Sequence, residues 1–275
     1  MEREQVEVVC LVEAIRLRYG YDLSGYAEAS LARRLECVRK EWRLASLSQV
    51  QDVVLSGEER LHAFLSRLTV TTSEMFRDPA FFLALRESVV PTLRTFPSLN
   101  IWVAGCSTGE ELWSLAILLH EEGLLERTTL HATDINRAAL KTAAQGIYSA
   151  LHAQDWSTSY RNAGGKATLR DYVTVAYEAL RVPAWLHSHV VFSEHNLVTD
   201  GVFCECHLIL CRNVLIYFRK PLQDRVIGLF GDALRSGGYL GLGGKESLKF
   251  LPSEARFQSV DANARLYRKG VVHGR

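Results

Sequence analysis

Four residues at fixed spacing could do chemistry in this chain: Gly105, Gly109, Glu111 and Asp134. The two glycines let the backbone turn sharply and come close to a ligand. Asp134 ends a second apolar run, Leu130-His-Ala-Thr-Asp134, 25 positions beyond Gly109. That is where the second strand of a nucleotide-binding βαβ unit presents a carboxylate to ribose hydroxyls. Together they point to a nucleoside-bearing cofactor. The loop is not G-x-G-x-x-G, which speaks against a dinucleotide dehydrogenase. Both acids also have simpler readings. Thr108-Gly-Glu-Glu111 has the form of a capping box, which accounts for Glu111 without any ligand. A ligand ammonium would also favour an acid there, and the residues alone leave the two open. Asp134 has an N-cap role available ahead of a helix over 136–144, but its place after a glycine loop favours ribose.

These residues need a strand, a loop and a helix to position them. Ile101, Trp102, Val103 and Ala104 form the short apolar run of a covered parallel strand. Leu112, Leu115, Ala116 and Leu119 recur at helical spacing. Residues 2 to about 68 read as helical throughout. Val6, Val9, Val12, Ile15 and Leu17 give one amphipathic segment, and Leu31, Leu35 and Val38 a second. Val50, Val53 and Val54 mark a third, and Leu61, Phe64, Leu65 and Leu68 a fourth. The β-branched and hydroxyl residues from Thr69 to Pro79 predict an irregular linker, followed by one helix from Pro79 to Leu93. Downstream, 137–144 and 222–234 predict helices, and 189–192, 207–211 and 239–242 predict strands. Residues 256–267 close the sheet. The less regular stretch 146–190 carries a turn at Gly164-Gly165 and a strand at 172–176. The fold expected is α/β, a doubly wound, mostly parallel sheet. An N-terminal all-α domain (1–70) precedes a linker and helix that contribute to the cofactor site (71–95). The cofactor-binding domain (96–275) carries a small β insert at about 160–190.

The 275 residues suffice for both domains. No apolar run approaches the ~20 residues needed to cross a bilayer, and Glu2, Glu4 and Glu13 interrupt any signal-like start. A net charge of +1 argues against a nucleic-acid partner. Cys204-x-Cys206-His207 lacks a second pair at zinc spacing, so these read as structural thiols with no metal, and six cysteines in a chain of this length suit a reduced, cytoplasmic protein rather than a disulfide scaffold.

Ala104-Gly-Cys-Ser-Thr-Gly-Glu-Glu111, Ala132-Thr-Asp-Ile135 and Cys211-Arg-Asn-Val-Leu-Ile-Tyr-Phe218 resemble the chemotaxis-receptor glutamate O-methyltransferases, the CheR family. Thr72-Ser-Glu-Met-Phe-Arg-Asp-Pro79, Asn196-Leu197 and Gly244-Lys-Glu-Ser-Leu248 match in the family's order, so the resemblance spans nearly the whole chain. It departs at Thr71, where many members carry Asn, at Val103, at Leu112-Trp113 and at Cys206-His207.

The resemblance implies a Rossmann-like methyltransferase sheet, S-adenosylmethionine as methyl donor, S-adenosylhomocysteine as product and receptor glutamate γ-carboxylates as acceptors. It implies that Arg77 meets the methionine carboxylate, a ligand suited to its planar fork, with Thr71 and Ser73 from the same linker and Gly105 beneath. Glu111 would approach the amino group, Asp134 the ribose, and Asn196 and Leu197 the adenine. Arg212, Asn213 and Tyr217 would wall the sulfonium and the incoming glutamate, with Arg212 and Tyr217 in the catalytic role. Arg33, Arg34, Arg39 and Lys40, otherwise a solvated helix face, would meet the acidic cytoplasmic helix of a methyl-accepting receptor. A monomer with no membrane insertion is expected. The alternatives are a cofactor-binding regulatory module without turnover and a methyltransferase for small molecules or RNA.

Overall fold

Helical periodicity before residue 70 becomes four helices in the computed structural model, which describes residues 2–270. These are α1 (Arg3–Tyr19), α2 (Glu28–Glu41), α3 (Leu47–Leu55) and α4 (Glu58–Leu68). Gly20 ends α1 in the left-handed conformation (φ 76°) and donates to the Arg16 carbonyl, the expected C-terminal cap. Leu31, Leu35, Val38, Val50, Val54, Leu61, Phe64, Leu65 and Leu68 form the core of this bundle. On α1 the buried stripe is Leu11, Val12 and Ile15, whereas Val6, Val9 and Leu17 are exposed. The helix packs on α3 from one side only, and the three exposed residues lie on the opposite face.

The linker leads into α5 (Pro79–Ser88) and α6 (Val90–Leu93). The single helix expected over this stretch is broken at Val89. Pro91 lacks the N–H that a continuous helix would use and clashes with the preceding turn.

The remainder alternates strands and helices: β1 (Leu99–Ala104), α7 (Glu110–Glu121), β2 (Thr128–Asp134), α8 (Arg137–Gln145), β3 (Ile147–Ser149), α9 (Ala153–Asn162), β4 (Thr174–Ala176), β5 (Ala179–Arg181), α10 (Ala184–His187), β6 (Val190–Glu194), β7 (Cys206–Cys211), α11 (Lys220–Ala233), β8 (Leu234–Leu242), β9 (Phe257–Asp261) and β10 (Leu266–Lys269). The main sheet runs β6-β2-β1-β7-β8-β10-β9. Its first five strands are parallel, and β10 pairs antiparallel with both β8 and β9. β3, β5 and β4 form a separate antiparallel sheet, so the insert reaches back to Ile147.

Strand β1 is buried on both faces. Ile101 and Val103 join the core shared with α5 and α7, while Trp102 and Ala104 join the core shared with α11. This two-sided burial produces its unbroken apolar run. The chain leaves β1 toward β2 on one side and returns to β7 on the other. The carboxyl end of β1 is therefore a topological switch point, where a crevice opens.

A buried charge cluster ties the insert to this core. Arg86 of α5 pairs with Glu121, with Glu122 (2.7 Å) and with the Ala163 carbonyl (3.1 Å), all largely buried. Tyr160 and Lys166 also bond these glutamates. We expect Arg86→Leu to lower unfolding stability by about 3–5 kcal/mol, because Glu121 keeps its burial and loses its cation. Denaturant titration is the check, and an unchanged midpoint and slope would show that the cluster contributes nothing.

Candidate active site

The crevice is lined by the segments that follow four strands, together with the linker and the helical domain. From β1 come Gly105, Cys106, Ser107 and Glu111; from β2, Asp134 and Ile135; from β6, His195 to Val198; from β7, Arg212, Asn213, Val214, Ile216 and Tyr217. The linker adds Thr69, Val70, Thr72, Ser73 and Arg77, and the helical domain adds Tyr26, Arg34 and Leu68. Of the residues expected at the site, Ser73, Arg77, Gly105, Glu111, Asp134, Asn196, Leu197, Arg212, Asn213 and Tyr217 share this one wall. Thr71 does not. It is exposed, its carbonyl lies 3.4 Å from the Thr108 hydroxyl, and its neighbour Thr72 faces the crevice instead.

The glycine loop is held from below. Gly105 and Cys106 both donate to the Thr133 carbonyl, at 2.8 and 2.9 Å. Gly105 sits at φ 73°, and a Cβ there would lie 2.5 Å from Val214 Cγ2. Only glycine fits both the dihedral and the space. Ser107, also left-handed at φ 51°, donates its N–H to the Asp134 carboxylate at 2.8 Å, and Asn136 donates to the same carboxylate at 2.8 Å. Asp134 therefore braces the loop. It does not cap α8, a role Asn136 takes by accepting from Ala138 and Ala139.

The capping box expected over 108–111 is not formed. Gly109 occupies the N-cap of α7 at φ 95°, and the Thr108 hydroxyl bonds the Glu110 carboxylate at 2.7 Å instead. Glu111 is thereby released from capping and reaches Arg212, with Nη1 to Oε2 at 2.7 Å. The other terminal nitrogen of Arg212 meets Asp78 at 2.6 Å, and its guanidinium lies 4.1 Å from the Phe81 ring centroid. The Arg212 side chain is 1% exposed. Both its ends are thus taken by the protein. It shapes the wall and fixes Glu111 rather than reaching freely toward an acceptor.

The basic set on α2 divides. Arg39 bonds Glu36 at 2.6 Å and the Leu44 carbonyl at 2.8 Å, and Lys40 lies 3.4 Å from Glu36. Arg33 and Lys40 are exposed. Arg34 turns inward: it donates to the Leu68 carbonyl at 2.7 Å, and its guanidinium carbon lies 4.7 Å from the Tyr217 ring centroid. Tyr26 joins the site through long-range packing that no spacing along the chain reports, whereas Arg34, expected on the receptor-facing set, is turned to the crevice wall. Ser107 and Ile135 flank assigned residues, and their place at strand ends was the available signal.

Burial pushes the Asp134 carboxyl above its ordinary range, against the pull of the backbone N–H groups of Asn136 and Ser107. Burial likewise raises Glu111, with Arg212 opposing. A nucleoside-bearing sulfonium fits these groups. The cradle under Gly105 admits close approach, Ser107 Oγ is buried without a partner in the crevice wall, Asp134 offers acceptor oxygens, and Ile135, Leu197 and Val198 supply apolar surface.

The family models "CheR methyltransferase, SAM binding domain" and "CheR methyltransferase, all-alpha domain" match residues 71–265 and 9–69. A Pseudomonas putida protein named "Putative methyltransferase Cher3" is 47% identical over 264 residues, 96% of this chain and 97% of its own length. A chemotaxis protein methyltransferase of Listeria monocytogenes is 29% identical over 231 residues, 83% of this chain and 85% of its own. The solved N-methyltransferase NodS from Bradyrhizobium japonicum, in complex with S-adenosyl-L-homocysteine, is 13% identical. The match covers 81% of this chain and 97% of that one, with a TM-score of 0.41.

Asp134→Ala should weaken S-adenosylmethionine binding by about 1.5–3 kcal/mol, the range for hydrogen bonds to a charged group. Calorimetry on the folded variant is the measurement, and an unchanged Kd would leave Asp134 as a loop brace only. A pH dependence follows from the raised carboxyls. Ionised carboxylates are the forms that would accept from a ribose and pair with an ammonium, so affinity should decline with acidification from a pH above the ordinary carboxylate range. For the unliganded protein the sign is opposite. A raised folded pKa costs stability above it, and that cost is relieved as pH falls toward the unfolded value. Binding should release protons in mildly acidic buffer, and calorimetry in two buffers of different ionisation enthalpy reads this directly.

Proposed function

The chain belongs to the CheR methyltransferase family, and we propose that it methylates glutamate γ-carboxylates on the cytoplasmic helices of methyl-accepting chemotaxis receptors. It is an S-adenosylmethionine-dependent methyltransferase of chemotaxis signalling. The observation that carries the finer reading is the composite wall. The glycine loop, Asp134 and Glu111 share one crevice with Arg34 and Tyr217, the first of which comes from the helical domain.

When bound, S-adenosylmethionine would supply an electrophilic methyl group: a carboxylate oxygen bonds the methyl carbon as its bond to sulfur breaks, giving the methyl ester with S-adenosylhomocysteine as the thioether leaving group. A glutamate with an ordinary pKa of ~4.3 is already ionised at neutral pH, so no general base is assigned. Asp134 would hold the ribose, and Glu111 and Arg77 the two ends of the amino-acid tail. Ser73 would stand beside Arg77, and Ile135, Asn196 and Leu197 would border the base. Asn213 and Tyr217 would shape the acceptor channel, and Arg34 would orient the incoming carboxylate. Arg33 and Lys40, exposed on α2, would attract an acidic receptor helix through screened surface charge. The chain's contribution is alignment and exclusion of water.

Radiolabelled methyl transfer onto a receptor cytoplasmic fragment, with base-labile release of the label, tests the ester. Absence of transfer to any acidic receptor helix, by a protein that binds the cofactor, would overturn this acceptor class. The two parts of the basic set should separate kinetically. Arg34→Ala should cost about 1.5–3 kcal/mol in kcat/KM, the value of a lost charged hydrogen bond. The exposed pair Arg33→Glu with Lys40→Glu should instead raise KM for the receptor fragment in low salt and lose that effect in high salt. Steady-state rates at two ionic strengths decide it, and equal behaviour of the two variants would remove the distinction.

A further inference from the structure

We propose that Glu246 is a positioning residue that sets the acceptor wall of this pocket, a role that rests on the reading that turnover occurs there. Its carboxylate is buried behind the segment that follows β7. One oxygen accepts from the Asn213 N–H at 3.0 Å and the Gly243 N–H at 2.6 Å. The other accepts from the Leu215 N–H at 2.7 Å. The segment from Asn213 to Leu215 thus wraps an anion, and no side-chain cation is bonded to it among the described residues. Successive backbone N–H groups turned toward one point form an anion-binding nest, and here the anion is covalently part of the fold.

The nest has two consequences for the site. It holds Asn213 in the left-handed region at φ 61°, a conformation asparagine takes more readily than most side-chain-bearing residues. It also fixes Val214, whose methyl group fills the space above Gly105, and the short turn that carries Ile216 and Tyr217 into the crevice. Gly243 corroborates the fit. A Cβ there would stand 2.8 Å from the Asn213 nitrogen and 2.9 Å from Glu246 Oε2. An acid is required because a carboxylate only accepts, at two oxygens. The amide of a glutamine would turn donors toward backbone donors.

The cofactor's own contacts depend on other supports. The glycine loop is held by Thr133 and Asp134, and Arg212 by Asp78 and Glu111. Loss of Glu246 should therefore separate binding from turnover. We expect Glu246→Gln to lower kcat by roughly 10- to 100-fold, the effect of a misplacement on the order of 1 Å, with the S-adenosylmethionine Kd changed by less than about threefold. Glu246→Asp, which keeps both oxygens, should fall between. Gly243→Ala should reproduce the phenotype with the carboxylate in place, which covers the case of a glutamine variant that does not fold.

Hydrogen exchange supplies a readout that needs no acceptor. Amides 213–216 should lose protection in Glu246→Gln while those of 105–111 keep theirs. Unchanged protection at 213–216 would overturn the proposal, as would a Kd that rises in step with the fall in kcat. A wild-type protein that binds cofactor and transfers no methyl group would instead sink the acceptor reading, and the exchange result would still stand.

Discussion

The arrangement of the crevice depends on one buried guanidinium. Arg212 stands at the carboxyl end of β7, almost wholly removed from water. Its charge is tolerable there only because two carboxylates meet it, Glu111 from α7 and Asp78 from the linker. That requirement dictates local geometry elsewhere. Asp78 sits in the left-handed region at the start of α5 and caps nothing, because its carboxylate is committed to Arg212. Phe76, also left-handed, donates its N–H to Ser114 at 2.7 Å, which fastens the linker to α7. The ion cluster and the Ser114 hydroxyl thus order the second half of the irregular stretch between the domains.

This commitment also bears on catalysis. A methyl transfer from sulfonium to carboxylate neutralises both charges, so a site that gripped the acceptor as a tight ion pair would stabilise the reactants more than the transition state. The two terminal nitrogens of Arg212 are already taken by internal acids. Arg34, bonded to a carbonyl and stacked on Tyr217, is a partly occupied cation at the pocket wall. For the carboxylate acceptor proposed above, the arrangement favours modest contact and leaves the work to alignment.

The sequence made the parts that follow from local rules legible. The apolar run of β1, the helical spacing of α7 and the acid at the end of β2 predict the glycine-loop half of the crevice, while Asn196, Leu197, Arg212, Asn213 and Tyr217 were legible only through the family resemblance. What stayed hidden depends on contacts far apart in the chain. The Arg212–Glu111 and Arg212–Asp78 pairs span 101 and 134 positions, and no spacing rule reports them. The capping pattern at 108–111 misled because Gly109, free to take φ 95°, let the turn close without the Thr108 side chain. On α1, Val12 and Ile15 of the expected stripe are buried and Val6, Val9 and Leu17 are not, since packing on α3 decides which part is covered. The basic residues of α2 looked like one surface. Leu68 and Tyr217, reached only after folding, draw Arg34 out of it.

Arg34 belongs to a seam rather than to a free domain. Ala27 N–H donates to the Tyr217 carbonyl and Arg219 N–H to the Gly25 carbonyl, each at 2.8 Å, and Tyr26 packs edge-on against Phe218. Tyr21 bonds Glu194 at 2.6 Å, and Asn136 bonds Thr69 at 2.8 Å. Backbone bonds of this kind tolerate little sliding, since each donor lost from the buried seam leaves an unpaired group. Tyr217 is simultaneously a wall of the crevice, a partner of the helical domain and the end of the segment that wraps Glu246. The helical domain is thus bonded to the Tyr217 side of the crevice, while the glycine loop and Asp134 rest on β1 and β2. The same chain so divides its pocket into a half fixed by the parallel sheet and a half whose position is shared between two domains.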